Sequence, residues 1–227
     1  MVSNKVIYNA LNKDNHKRIN IDDVVAMVSM YRLVSFDIFD TMIFRNVKKP
    51  TDIFNKVEEA IGQKGFANAR IQAERKARTV HSASEEITFN QIYEEIDDDY
   101  VGIWEEELKA EEKYTYANEC IKKIYEYAYA NNNVAICSDM YLPKDYLAHL
   151  LEKKGYVGIE KLYVSAEHMR TKATGRLFKY MISDNKLKAD EILHIGDNLQ
   201  SDGKAADLGM DFIHFVDDQM FYVKRKQ

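Results

Sequence analysis

Side chains that could do chemistry stand at the ends of several short apolar runs. Asp37, Ser138 and Asp197 each follow closely on such a run, and Lys172 comes shortly after another. In a parallel α/β sheet the ligand site lies at the carboxyl ends of the strands. Carboxylates, a hydroxyl and an ammonium group are costly in a core unless they are paired. Taken together, these four residues therefore predict a polar site along one edge of a sheet.

The apolar runs themselves define the elements that must position these side chains. Four of them alternate with helical patterns at about 145–154, 174–184 and 200–208, and an amphipathic helix pattern that contains Val24 and Val28 precedes the first. Strand and helix in alternation are typical of βαβ units. The sequence thus predicts an α/β fold, a doubly wound, Rossmann-like parallel sheet. Its predicted strands are 33–36, 134–137, 162–164, 192–195 and 212–216.

Residues 46–132 lack this alternation of strand and helix, and their pattern is helical almost throughout. A helix begins near Thr51, a second covers 70–80, and Thr88 with Gln91 has the spacing of a capping box before a third. A long fourth helix is expected at about 103–130. We therefore predict a core formed by 1–45 and 133–227, interrupted by a helical insertion at 46–132.

Charge, hydropathy and cysteine usage exclude several classes of protein. The net charge of −5 disfavours non-specific binding to nucleic acid, which needs the opposite sign. No uncharged run approaches the roughly 20 residues that a membrane span needs. Cys120 and Cys137 have no CxxC spacing, and two isolated cysteines fit a reducing compartment. The expectation is a cytoplasmic protein that binds neither membranes nor nucleic acid.

Four sequence motifs, in order, resemble those of the haloacid dehalogenase (HAD) superfamily. The run 36–42, Phe-Asp-Ile-Phe-Asp-Thr-Met, looks like its first motif, and Ser138 after a strand is similar to the second. Lys172 in Thr-Lys-Ala-Thr-Gly is similar to the third, and 196–202, Gly-Asp-Asn-Leu-Gln-Ser-Asp, resembles the fourth. The helical insertion sits where the family places a C1-type cap. Two longer strings, Ser-Phe-Asp-Ile-Phe-Asp-Thr at 35–41 and Cys-Ser-Asp-Met-Tyr-Leu-Pro at 137–143, look like a bacterial branch of predicted hydrolases that can be joined to glycosyltransferase domains.

The resemblance implies roles for individual residues. Asp37 would be the nucleophile, Ser138 would hydrogen-bond the substrate's phosphoryl group, and Lys172 would supply a fixed positive charge. The implied cofactor is Mg²⁺, a hard cation that prefers oxygen ligands. Its ligands would be Asp37, the backbone carbonyl of Phe39, and Asp197, with Asp202 in support.

One position departs from the family pattern. Phosphatases of the family carry a second Asp two residues after the nucleophile as general acid and base, and here that residue is Phe39. Candidates for a relocated acid are Asp40, Asp139 and His168. Thr41, in the same motif as Asp40, is a candidate substrate contact.

The motifs favour one function but leave alternatives open. We predict a Mg²⁺-dependent hydrolase, a phosphatase that acts on a small phosphorylated metabolite through an aspartyl-phosphate, with a sugar phosphate as one candidate substrate. The alternatives are a non-catalytic HAD-like domain that binds a phosphorylated ligand or a partner protein, and a dehalogenase-like hydrolase. Arg45 and Arg70 could contact an acidic substrate, but pairing of the insertion arginines with helix carboxylates such as Glu74 is the simpler expectation.

Overall fold

The computed structural model describes residues 18–217 and 220–224 and contains a mixed α/β fold, as the sequence predicts. Within these residues there are nine strands, labelled in chain order: β1 Arg18–Ile19, β2 Leu33–Phe36, β3 Ile43–Arg45, β4 Thr115–Ala117, β5 Asn133–Ser138, β6 Leu162–Val164, β7 Ile192–Gly196, β8 Asp211–Asp217 and β9 Met220–Lys224. The described α-helices are α1 Ile21–Val28, α2 Asp52–Ile61, α3 Phe66–Val80, α4 Phe89–Glu94, α5 Trp104–Lys113, α6 Glu119–Asn131, α7 Lys144–Lys153, α8 Ser165–His168, α9 Arg176–Asp184 and α10 Lys204–Asp207. Short 3₁₀ turns occur at Asp98–Tyr100 and Ala189–Glu191. Of the predicted core 1–45, the first 17 residues lie outside the described residues.

The five predicted strands form a parallel sheet in the order β6-β5-β2-β7-β8. The strand that precedes Asp37, β2, lies in the middle, between β5 and β7. Beyond β8 the sheet continues with β9 and β1, both antiparallel to their neighbours, which the sequence analysis does not anticipate. The central position of β2 places Asp37 next to the ends of both neighbouring strands.

Helices cover both faces of the parallel sheet because successive strand side chains point to opposite sides. Phe36 and Ile195 pack on one face with residues of α1, α6 and α7. Leu33 and Phe212 pack on the other face with residues of α9 and α10. The apolar runs are buried on both sides, which explains why they read as continuous rather than alternating.

The helical insertion has a small core of its own, between α2, α3, α4 and α5, with Phe54, Val57, Phe66 and Ile92 among its buried residues. The capping box predicted for Thr88 and Gln91 is confirmed.

The predicted long helix at 103–130 is wrong, since two helices with a strand between them occupy it. Thr115–Ala117 forms β4, which pairs antiparallel with β3, and Asn118 then caps α6 by accepting hydrogen bonds from the Cys120 and Ile121 amides. The Asn118 side-chain amide also donates to the Thr41 carbonyl at 2.8 Å. A strand partner and a cap, both supplied by tertiary contacts, override the helical pattern here. Helix α6 then packs on the sheet rather than on the insertion.

Candidate active site

The site is built where β2, β5 and β7 end. Asp37 follows β2 directly, and its amide donates to the Ile195 carbonyl of β7 at 2.9 Å. Ser138 is the last residue of β5, whose Ile136 is paired with Phe36 of β2. Because β2 and β5 are neighbouring parallel strands that end at nearly the same level, Asp37 and Ser138 lie at the same edge of the sheet, as the sequence predicts.

A buried ion-pair cluster joins three of the predicted residues. The Lys172 ammonium is 1% exposed and donates to Asp37 Oδ1 at 2.6 Å and to Asp202 Oδ1. Burial would lower the pKa of Lys172, but the Asp202 and Asp37 carboxylates raise it above its usual value. The lysine is therefore a permanent positive charge beside the Asp37 carboxylate. Such a charge can stabilise anionic groups that react at Asp37.

Three carboxylates converge in a way that suits a cation. One oxygen each of Asp37, Asp197 and Asp202 lie within 4.8 Å of one another. Burial and the neighbouring charges of Asp37 and Asp202 raise the pKa of Asp197 to about 7. Burial likewise raises the pKa of Asp37. Carboxylates that repel one another and lose hydration in this way are stabilised when a hard divalent cation joins them.

Asp202 differs from the other two carboxylates because it is surrounded by donors. Besides Lys172, it lies 3.0 Å from His194 Nε2 and accepts the Asn198 amide at 3.0 Å. Burial opposes its ionisation, but Lys172 and His194 lower its pKa well below the usual range. Gly196 leaves the space for this carboxyl, since a Cβ there would collide with it.

His194 and Ser35 belong to the polar network of the site and were not among the residues predicted from the sequence. They are partners across β7 and β2, and Ser35 Oγ lies 3.1 Å from His194 Nδ1. A buried chain of contacts therefore runs from Ser35 through His194, Asp202 and Lys172 to Asp37. The available signal was two polar residues, Ser35 and His194, each inside an otherwise apolar strand.

The loop after β2 brings three further candidates to the site. Thr41 is buried, and its hydroxyl donates to Asp197 Oδ1 at 3.3 Å. Asp40 is exposed, has a φ of 59°, and is close enough that its charge raises the pKa of Asp197. Phe39 is 7% exposed and lies beneath the Arg45 guanidinium. Its ring therefore packs inside the protein.

The side chains of Asp139 and His168, two candidates for the relocated acid, are both engaged in contacts within the protein. The Asp139 carboxylate accepts the backbone amides of Lys172 and Ala173 at 2.7 and 3.3 Å, and burial raises its pKa. The His168 ring packs against Tyr180, with centroids 4.4 Å apart, and burial lowers its pKa. Asp139 thus holds the turn that carries Lys172, whereas His168 belongs to an aromatic cluster beside α9.

Arg45 and Arg70 form ion pairs with carboxylates, an arrangement that the sequence predicts for the insertion arginines. Arg45 binds Glu111 through two nitrogens, at 2.9 and 3.0 Å, and Arg70 binds buried Glu107 in the same manner. Arg70 also contacts Glu74 at 3.3 Å. These guanidinium groups are therefore committed to intramolecular partners.

Sequence comparison and structural comparison give different results. No family model matches the sequence, and no curated protein matches it. Solved structures do match: YfnB of Bacillus subtilis, assigned to the HAD hydrolases and bound to magnesium, has 15% identity and a TM-score of 0.57 over 80% of this chain and 87% of that one. A 2-haloacid dehalogenase from Pseudomonas syringae pv. Tomato DC3000 has 13% identity and a TM-score of 0.60, over 82% and 86%.

A predicted phosphoglycolate phosphatase from Haemophilus somnus matches with 12% identity and a TM-score of 0.55, over 82% of this chain and 86% of that one. Within the described residues, no helix is both long and apolar enough to cross a membrane. Phosphatases and dehalogenases thus appear side by side among the matching structures, at identities where only the fold is informative. The chain has the fold of the HAD-family hydrolases.

Proposed function

We propose that the protein is a HAD-superfamily phosphatase that hydrolyses a small phosphate ester or anhydride. The observation that carries the proposal is the ion pair of Lys172 with Asp37, 2.6 Å apart, inside a cluster of three converging carboxylates. A nucleophilic carboxylate beside a fixed cation and a potential metal site is suited to attack on an anionic phosphoryl group.

In the proposed reaction an oxygen of Asp37 attacks phosphorus and the bond from phosphorus to the leaving oxygen breaks. The leaving oxygen takes the electron pair and a proton. Water then hydrolyses the aspartyl-phosphate, which releases inorganic phosphate and restores the carboxylate. Ser138 would donate a hydrogen bond to a phosphoryl oxygen, and Lys172 would stabilise the charge that develops there.

The donor set fits a Mg²⁺ ion. Asp37 and Asp197 would be its side-chain ligands, and the Phe39 carbonyl would be the backbone ligand. We assign Asp202 to support, because Lys172, His194 and the Asn198 amide already engage its oxygens. When bound, the cation neutralises charge between the nucleophile and the phosphoryl group.

Asp40 is the proposed acid and base. Phe39 cannot transfer a proton, and the Asp139 carboxylate is occupied by two amides. Asp40 is exposed and near Asp197, and its left-handed backbone, uncommon for a residue other than glycine, is consistent with a functional constraint. Thr41 orients Asp197 rather than the substrate.

The helical insertion is the proposed cap, and specificity would come from it. Since α6 packs on the sheet, we place the boundary of the cap near residue 117 rather than at 132. The resemblance to proteins joined to glycosyltransferase domains makes a sugar phosphate the first substrate class to assay.

The test is phosphate release from p-nitrophenyl phosphate, acetyl phosphate and sugar phosphates, with and without millimolar Mg²⁺. Mg²⁺-dependent release supports the proposal.

Two alternatives, a dehalogenase and a non-catalytic domain, are favoured by Phe39, because its side chain cannot transfer a proton. Chloride release from 2-chloropropionate would indicate the former. Inactivity on all these compounds, with retained binding of a phosphorylated ligand, would indicate the latter.

A further inference from the structure

The turn that carries Lys172 is held from two sides. On the core side, Asp139 accepts the Lys172 and Ala173 amides, as described above. On the other side lies Glu85, which belongs to the segment 81–88 between α3 and α4 of the insertion. Two carboxylates, one from the core and one from the insertion, thus fix the same short turn.

Glu85 accepts four hydrogen bonds from this turn and its flanking helix. Its Oε2 accepts the Thr171 amide at 2.9 Å, the Thr174 hydroxyl at 2.7 Å and the Thr171 hydroxyl at 3.4 Å, and its Oε1 lies 2.6 Å from Arg176 Nη1. Burial opposes ionisation of Glu85, but these donors lower its pKa below the usual value. These surroundings suit a carboxylate, because one amide, two hydroxyls and one guanidinium all donate to it.

The next residue, Glu86, reaches a second loop of the core. Its Oε2 accepts the Ser165 hydroxyl at 2.9 Å, and Ser165 Oγ in turn accepts the Met140 amide at 2.8 Å. Met140 lies two residues after Ser138. Glu85 therefore contacts the turn that carries Lys172, and the adjacent Glu86 is linked to the loop after Ser138 through the Ser165 hydroxyl.

We infer that Glu85 is a positioning residue that couples docking of the insertion to the placement of Lys172. The inference rests on the proposed function and deepens it. A lysine side chain is long and flexible, so the Lys172 ammonium stays on Asp37 only if its backbone is fixed. When the insertion docks, Glu85 completes the set of hydrogen bonds on the turn. Without Glu85, the turn would keep only Asp139 and its own internal hydrogen bonds.

The primary experiment is backbone hydrogen exchange, measured by mass spectrometry on peptides that cover 170–178. Glu85→Gln keeps the size of the side chain and removes the negative charge that pairs with Arg176 and strengthens the hydrogen bond from the Thr171 amide. We expect faster exchange in this peptide. Glu59→Gln is the matched control, because Glu59 pairs with Lys56 on its own helix. Arg176→Gln, which removes one donor from the core side, should give a smaller effect in the same direction.

Turnover provides the second measurement, on whichever phosphate the wild type hydrolyses. We expect Glu85→Gln to lower kcat about 10- to 100-fold with KM little changed, because small misplacements of a catalytic group have effects of this size. Glu59→Gln should match the wild type. The double variant of Glu85 and Arg176 should be no slower than Glu85→Gln alone, since both remove one interaction.

The outcomes separate this inference from the proposed function. Unchanged exchange at 170–178 in both Glu85→Gln and Arg176→Gln overturns the inference, whatever the activity. Faster exchange with unchanged kcat overturns the positioning role. If the wild type hydrolyses no phosphate, the proposed function fails, and the exchange data still decide whether Glu85 restrains the turn.

Discussion

The guanidinium of Arg45 lies 3.8 Å above the centroid of the Phe39 ring. Arg45 is in β3 and is held by Glu111 of α5, so Phe39 packs beneath an ion pair that joins the core to the insertion. A cation over an aromatic face is an attractive arrangement. Phe39 therefore has a packing role at this junction.

This relationship predicts the behaviour of Phe39→Asp. The new carboxyl would meet Arg45, which favours the ionised form and makes it a weak proton donor. We expect kcat/KM for an alkyl phosphate to stay within about tenfold of the wild type, below the ~10²–10⁴-fold gain of a tuned acid. The measurement is kcat/KM on alkyl and aryl phosphates, and a gain of 10²-fold on the alkyl substrate alone would contradict it.

Asp37→Asn should abolish turnover and leave the protein folded. The amide is isosteric with the carboxylate but is a very poor nucleophile, so only residual catalysis from binding would remain. Circular dichroism and a thermal melt would verify the fold, and trapping of a phosphorylated protein should fail in the variant. Wild-type rates in Asp37→Asn would rule out the proposed mechanism.

Asp40→Asn should slow substrates with poor leaving groups more than those with good ones. A general acid contributes about 10²–10⁴-fold, and activated esters need less of it. We therefore expect the loss of kcat to be large for an alkyl phosphate and small for an acyl phosphate. Asp139→Asn is the comparison, since its effect should be similar on both substrates. Equal losses for both substrates in Asp40→Asn would remove Asp40 from the acid role.

The raised pKa of Asp197 predicts how stability depends on pH without metal. Its pKa is about 7 in the folded protein, against an ordinary value of 3.8, so the native state binds the extra proton between these values. The free energy of unfolding should therefore fall as pH rises from about 4 to about 7. Asp197→Asn should show a flatter profile in thermal melts.

Millimolar Mg²⁺ should raise the wild-type Tm at pH 8, and Asp197→Asn should reduce that shift. A Mg²⁺ shift as large in the variant would count against the site.

The buried pair of Arg70 and Glu107 predicts a large loss of stability. Both side chains are 0% exposed, and Tyr93 adds a hydrogen bond to Glu107 at 2.7 Å. Glu107→Leu leaves the Arg70 charge buried beside a neutral side chain, and removing one partner from such a pair costs about 3–5 kcal/mol. Urea denaturation would measure it. Glu59→Leu, at an exposed pair, should change little, and similar losses in both variants would argue against the burial effect.

Local sequence determined the parallel sheet and the edge where the site lies. Apolar runs long enough for a strand but too short for a helix, each followed by a polar side chain, require burial on both faces and a polar end. This is why Asp37, Ser138 and Asp197 could be assigned to one edge. The capping box at Thr88 and Gln91 was likewise readable, because its hydrogen bonds join residues three apart.

Tertiary structure decided what depends on partners distant in sequence. The chain of Ser35, His194 and Asp202 exists only because β2 and β7 are neighbours in register. Strand β4 forms where a helix was predicted because β3, about 70 residues earlier, supplies its hydrogen bonds. Glu85 meets Thr171 across 86 residues. Local periodicity carries no information about such pairings, because their free energy arises only when the sheet and the insertion pack together.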